Sequence, residues 1–176
     1  AVLGSLGALV AASGATHVCC TPSVWATAEL SGPGPVLGPP QALRCVSLGG
    51  ERMPRALLDA WAPLVTLRVV YGVTEAAVYQ LSRAASVGDD PALVGTPLPG
   101  CAAALVEPGA RPLRPPPGGG EQQGEVALAG PAVSAGYVGL PELTSAAFTQ
   151  APPGLFPGCG ACRAYVTGDP PADGPR

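Results

Sequence analysis

At 176 residues the chain has the length of one domain or of a portion of a larger one. Its formal charge is −3, and the 12% of residues that are charged mix acids with bases, which excludes the basic footprint of a nucleic-acid-binding protein. Glycine (25) and proline (23) exceed a quarter of the chain, the level of low-complexity sequence, and they concentrate in Pro115–Gly120 and in the tail beyond Ala151.

Ala1–Val10 is apolar but too short to span a bilayer, and no Met, basic segment or cleavage site marks it as a signal peptide. It reads as a buried helix entering a sheet, ended by Ser13-Gly14, and a start without Met points to an incomplete chain. The missing signal makes cytoplasm the expected compartment. His17–Cys20 (HVCC) is a short strand, and Thr21-Pro22-Ser23 turns it into a helix around Val24–Leu30. Leu43–Leu48 is a second strand, running into Gly49-Gly50-Glu51. Arg55–Trp61 is a helix, with Leu57, Leu58 and Trp61 at helical spacing and Pro54 at a permitted first-turn position. Leu67–Val70 is a third strand that reaches Tyr71-Gly72, and a new element follows Thr74. Repeated strand-turn-helix units with short apolar strands predict a parallel α/β sheet layer.

Beyond Asp90 the texture changes. Cys101–Val106 and Glu125–Ala129 read as strands joined by a Gly/Pro-rich loop with no long helix between them, which predicts a small antiparallel, β-barrel-like subdomain. Pro141–Phe148 is a short helix candidate and Tyr165–Gly168 a last extended piece. The expected division is 1–90, an α/β subdomain, and 91–176, a β-rich one. Cys19, Cys20, Cys45 and Cys101 fall in apolar segments where thiols act as small hydrophobes. Cys159 and Cys162 form one CxxC, and His17 is the sole histidine. Zinc wants four ligands, so loop thiols in a reducing compartment are the plainer reading, with a redox or metal role as the alternative.

Five segments in order carry chemistry: Ser47–Glu51 (SLGGE), Tyr71–Glu75 (YGVTE), Val94–Gly100 (VGTPLPG), Gly124–Tyr137 (GEVALAGPAVSAGY, trailed by PELTSAAF) and Tyr165–Asp169 (YVTGD). Alone, each has an ordinary reading. Tyr71 suits a strand end in a core, Thr74-Glu75 a helix N-terminus, and Asp169 a turn before Pro170-Pro171. As an ordered set they resemble the adenylate-forming (AMP-binding) superfamily, which includes acyl-CoA synthetases, luciferase-like ligases and nonribosomal peptide synthetase adenylation domains. YGVTEAAVYQ leans toward the peptide-synthetase-like branch. The resemblance spans His17 to Asp169, and the fold it implies is part of the large N-terminal domain of such an enzyme.

The resemblance implies ATP and Mg²⁺ as cofactors and a role for each matching residue. Tyr71 and Gly72 would meet the adenine, an aromatic face beside a glycine that admits close backbone approach. Gly49, Gly50 and Glu51 would line the same side of the pocket, although a plain strand-to-helix loop explains Glu51 equally well. Thr74 would hold a phosphate oxygen and Glu75 would ligate Mg²⁺ as a hard oxygen donor. Asp169 would accept hydrogen bonds from the ribose hydroxyls. Its Pro-Pro sequel departs from the family, which has an apolar residue there. Val46, Leu48, Val70, Val78 and Tyr79 would line the acyl pocket, with core packing the competing reading for Val46.

The implied reaction joins ATP and a carboxylic or amino acid into acyl-AMP and pyrophosphate. The acyl group then passes to the thiol of CoA or of phosphopantetheine on a carrier-protein domain. No membrane span or nucleic-acid partner is expected. Neither the family's Ser/Thr/Gly-rich loop ending in Lys nor its mobile C-terminal domain is recognisable, and the sequence contains no lysine at all. An incomplete fragment of a larger enzyme, inactive by itself, is the resulting expectation. A degenerate nucleotide-binding or scaffold module without catalysis is the main alternative, and an unrelated structural α/β protein a third.

Overall fold

The computed structural model describes residues 6–28, 42–107, 111–113, 124–156, 160 and 162–168, with Pro112 described by its backbone alone. Asp169 and Cys159 lie outside the described residues. Two compact units emerge: Ala1–Tyr71 with Ser82–Thr96, and Gly72–Leu81 with Pro97–Arg176.

In the first unit, helix α1 (Leu6–Ser13) precedes strand β1 (His17–Cys20) and helix α2 (Pro22–Ala26). The Thr21 hydroxyl caps α2 by accepting the Val24 N–H, and Pro22 takes the first turn, where no N–H is missed. Strand β2 (Cys45–Gly49), helix α3 (Arg55–Trp61) and strand β3 (Thr66–Tyr71) follow. β1 pairs parallel with β2, and β2 with β3, His17 opposite Cys45 and Val46 opposite Leu67. Strands β4 (Leu81–Ala84) and β5 (Thr96–Pro97) extend the sheet to the order β1-β2-β3-β4-β5.

Side chains alternate across a strand, so Val46 and Leu48 turn to one face and Cys45 and Ser47 to the other. The first face carries the core: Val46, Leu48, Leu67 and Val69 bury against Trp25, Met53 and Leu58. Trp25 and Trp61 meet edge-to-face with ring centroids 4.9 Å apart, which fastens α2 to α3. Arg83, from β4, closes the following loop by donating to the Leu93 and Asp90 carbonyls and to the Asp89 carboxylate at 2.6 Å.

The second unit holds an antiparallel sheet of strands β6 (Ala102–Glu107), β7 (Arg111–Pro112), β8 (Glu125–Ala129), β9 (Phe148–Ala151) and β10 (Cys162–Val166), in the order β7-β6-β8-β10-β9. Helix α4 (Pro141–Ala147) runs directly into β9. Alanines pair across the middle of this sheet, Ala102 and Ala164 both opposite Ala129. The core beneath is correspondingly built of Val106, Ala127, Ala129, Ala151, Ala164 and one large group, Phe156.

The mixed α/β architecture agrees with the sequence reading, and β1, α3 and β8 have the predicted spans. The bounds of β2, β3, β6 and β10 shift by one to three residues, and two helix ends differ for a visible local reason. α2 stops at Ala26 because the Thr27 hydroxyl and N–H both return to the Val24 carbonyl, closing the last turn. Phe148 leaves α4 with extended backbone and opens β9, where its ring is buried. Among the described residues no helix is long and apolar enough to cross a membrane.

Candidate functional site

Ligands of open α/β sheets gather at the carboxyl ends of the strands. In the first unit Gly49 pairs with Val70, so Gly50 and Tyr71 each sit one residue beyond, at the ends of β2 and β3. Gly50 has φ +81, a conformation that disfavours a side chain. Glu51 then turns back to the first turn of α2, accepting the Ser23 hydroxyl at 2.7 Å and the Ser23 N–H at 3.1 Å. These bonds, led by the hydroxyl, hold the exposed carboxyl below its ordinary range. Tyr71 is half-buried.

The expected acyl-pocket residues separate. Val46 and Leu48 are fully buried in the core beneath the sheet. Val70, level with Gly49, turns to the opposite face, together with Ser47 and Arg68, whose Nε donates to the Ser82 hydroxyl at 3.1 Å. Val46 and Leu48 therefore do not share a surface with Val70.

In the second unit the chain from Gly72 to Gln80 closes on itself. A 3-10 turn, Thr74–Ala76, is followed by Ala77 (φ 63) and Val78 (φ 79), two left-handed residues that are not glycine. Such backbone costs on the order of 1–3 kcal/mol per residue and persists only where the surroundings enforce it. Here the enforcing group is the buried Gln80 amide. It accepts the Val73 N–H at 2.9 Å and donates to the Ala76 carbonyl, filling the loop from inside. Gly72 lies so close to the returning chain that a Cβ would stand 2.1 Å from the Val78 carbonyl oxygen. Thr74 and Val78 are exposed on this loop, and Tyr79 is half-buried.

Glu75 is half-buried and doubly held. Its backbone carbonyl accepts the Ser134 N–H at 2.8 Å, and its Oε1 accepts the Tyr137 hydroxyl at 2.6 Å. The Tyr165 hydroxyl also interacts with both groups. The Tyr137 bond keeps Glu75 ionised below the ordinary carboxylate range. In return the carboxylate raises the Tyr137 phenol, while burial, then Tyr137, raises that of Tyr165. Phe148 lies between the two tyrosines, 5.5 Å from one ring and 5.0 Å from the other. The Arg163 guanidinium covers Phe148 at 4.9 Å and donates to the Ser134 and Ala135 carbonyls. The result is a fixed anionic group on a rigid turn beside a hydroxyl, suited to meeting a cation or a cation-bound phosphate.

Ser23, Gln80, Tyr137 and Tyr165 have no role in the sequence reading. Tyr137 and Tyr165 end and begin quoted segments, GEVALAGPAVSAGY and YVTGD, and those positions were their available signal. No group of three or more His, Cys, Asp or Glu side chains able to hold a metal occurs among the described residues.

The sequence profile described as AMP-binding enzyme matches residues 4–138. Relatives include CymA of Salinispora arenicola, a probable nonribosomal peptide synthetase, 37% identical over 93% of this chain and 2% of its own. Nonribosomal peptide synthetase sidE of Aspergillus fumigatus is 34% identical over 85% of this chain and 6% of its own. Novobiocin biosynthesis protein H of Streptomyces niveus is 34% identical over 72% and 20%. Among solved structures, PA1221, an NRPS protein containing adenylation and PCP domains, has a TM-score of 0.76 at 24% identity over 96% of this chain and 33% of that one. The chain thus spans a small part of each of these relatives. By its profile, its relatives and its fold, the chain belongs to the AMP-binding enzyme family, the adenylate-forming superfamily of the peptide-synthetase adenylation domains.

Proposed function

We propose that the protein carrying this chain activates a carboxylic or amino acid with ATP, forming acyl-AMP for transfer to a thiol. The observation that carries this reading is Glu75: an ionised carboxylate fixed on a rigid turn, adjacent to the exposed Thr74 hydroxyl, in a chain of the AMP-binding family. In the reaction a substrate carboxylate oxygen bonds to the α-phosphorus of ATP, the bond to the bridging oxygen breaks, and pyrophosphate leaves. A thiolate then bonds to the acyl carbon and AMP departs.

Thr74 would donate its hydroxyl to a phosphate oxygen. Tyr71 would stack on the adenine, with the Gly49-Gly50 turn and Gly72 leaving room for the nucleotide. Asp169 would hold the ribose hydroxyls. Glu75 fits a Mg²⁺ site, since Mg²⁺ is usually bound by one or two carboxylates together with substrate phosphates and waters. The bound ion would supply charge neutralisation at the phosphates. For the acyl acceptor, phosphopantetheine on a carrier domain is favoured over CoA, because PA1221 contains adenylation and PCP domains in one protein.

The test is ATP–pyrophosphate exchange by the full-length protein across a panel of amino and fatty acids, with Glu75→Ala and Asp169→Ala alongside. Acid-dependent exchange that drops about a hundredfold in the Glu75 variant, roughly 2.7 kcal/mol of transition-state stabilisation, is the expected result. No exchange with any acid, but AMP binding that is lost in Tyr71→Ala, would replace this reading with that of a nucleotide-binding module without catalysis. The isolated 176-residue chain is expected to form no measurable acyl-AMP, having no lysine to meet the acyl carboxylate.

A further inference from the structure

A carboxylate on a surface turn rotates about its side-chain bonds unless a partner fixes it. For Glu75 the leading partner is Tyr137, 62 residues away in sequence, through a phenol-to-carboxylate bond of 2.6 Å, a charge-assisted contact of the stronger kind, with Tyr165 the lesser one. Tyr137 is itself firmly seated. Its N–H donates to the Thr144 hydroxyl at 2.9 Å. The preceding Gly136 has φ +133, and a Cβ there would meet the Thr144 methyl at 2.3 Å, so the approach to Tyr137 has one course. Its ring rests edge-on against Phe148, which Arg163 covers. Arg163 in turn holds the carbonyls of Ser134 and Ala135, and the Ser134 N–H holds the Glu75 backbone. One short segment, Ser134–Tyr137, therefore grips Glu75 by both main chain and side chain.

We propose that Tyr137 is a positioning residue, its hydroxyl fixing one oxygen of the Glu75 carboxylate so that the group meets a nucleotide-bound divalent cation in a single orientation. The proposal rests on the reading of Glu75 as the cation-binding carboxylate. Tyr137 touches neither cation nor nucleotide in this scheme. Removing its hydroxyl leaves Glu75 present and charged but held at its carboxylate by Tyr165 alone, a looser restraint that weakens cation binding without abolishing it. Partners of this kind are commonly worth about tenfold or more in metal affinity.

The experiment uses the full-length protein with α,β-methylene-ATP and Mn²⁺, free Mn²⁺ being followed by electron paramagnetic resonance, and compares wild type, Tyr137→Phe, Glu75→Gln and the double variant. Thermal midpoints are recorded for all four. Expected are about tenfold weaker Mn²⁺ binding in Tyr137→Phe, at least as large a loss in Glu75→Gln, and no additional loss in the double variant. Wild-type affinity in Tyr137→Phe beside a weakened Glu75→Gln overturns the positioning role and leaves the Glu75 reading intact. Unchanged affinity in Glu75→Gln overturns both. Losses that add in the double variant, following the thermal midpoints, mean that Tyr137 acts on the fold alone and also overturn the proposal. Should Tyr137→Phe not fold, Thr144→Val displaces Tyr137 while keeping its hydroxyl. Weakened binding is then expected, and wild-type binding counts against the proposal.

Discussion

Ser23 grips both oxygens of the Glu51 carboxylate, its N–H on Oε2 and its hydroxyl on Oε1, joining the first turn of α2 to the loop that follows β2. Neither residue is buried, so the pair sets loop geometry more than it adds stability.

Glu51 gives a pH prediction. Its carboxyl lies below the ordinary value of 4.5, with the Ser23 hydrogen bonds as the largest cause. A depressed carboxyl favours the fold above 4.5, and that contribution is lost as the pH falls through the lower, folded value. Carboxyl ¹³C shifts should therefore show Glu51 titrating below 4.5 in the wild type. In Ser23→Ala the midpoint should move back toward 4.5, because the leading donor is gone and only the Ser23 N–H and the weaker Thr21 hydroxyl remain.

The closed loop from Gly72 to Gln80 should be intolerant from two sides. Gln80→Leu leaves the Val73 N–H and the Ala76 carbonyl without their partner, a loss of about 1–3 kcal/mol in urea unfolding. Gly72→Ala drives a Cβ into backbone atoms of Val78 and Tyr79 and should cost on the order of 3 kcal/mol or more. Gly88→Ala is the control. It has φ +84 but nothing within 4 Å, so only backbone strain of roughly 1–2 kcal/mol applies.

Core truncation should follow burial. Leu58 is fully buried, and Leu58→Ala is expected to lose about 2–5 kcal/mol. Leu64, 48% exposed just beyond the same helix, should change stability by about 0.5 kcal/mol or less when replaced by Ala. Chemical denaturation of both variants checks the contrast.

The Arg83 clasp predicts a local effect. Arg83→Ala removes donors from Asp89 and from the carbonyls of Asp90 and Leu93, and faster amide hydrogen exchange should appear across Ser86–Leu93. The Trp25–Trp61 region should exchange as before.

Much of the architecture was legible because it is written in local pattern. Apolar runs ending in Gly-Gly or Tyr-Gly marked the β strands, and Leu57, Leu58 and Trp61 marked α3 by helical spacing. The β4 and β9 strands escaped because Leu81–Ala84 (LSRA) carries no apolar run and Phe148–Ala151 follows a helix with no turn residue between. The site was half legible. Thr74 and Glu75 stand out by motif, but the partners that fix them, Gln80 and Tyr137, are set by tertiary contacts that no spacing rule reaches. The face each side chain occupies was missed for a simpler reason: Val46, Leu48 and Val70 are all apolar, and composition cannot tell a core face from the face behind it.

That two-faced sheet has a consequence for anyone reshaping the protein by directed evolution. Residues 46, 48, 67 and 69 form one mutational register, and 47, 68 and 70 the other. Randomising the first set samples mainly unfolded chains. Randomising the half-buried pair of the second, 47 and 68, leaves the packing underneath intact and spends the diversity on the chemistry of that face, while Val70, buried there, stays fixed. A frame error of a single codon in choosing positions would turn a search for altered recognition into a survey of ruined cores.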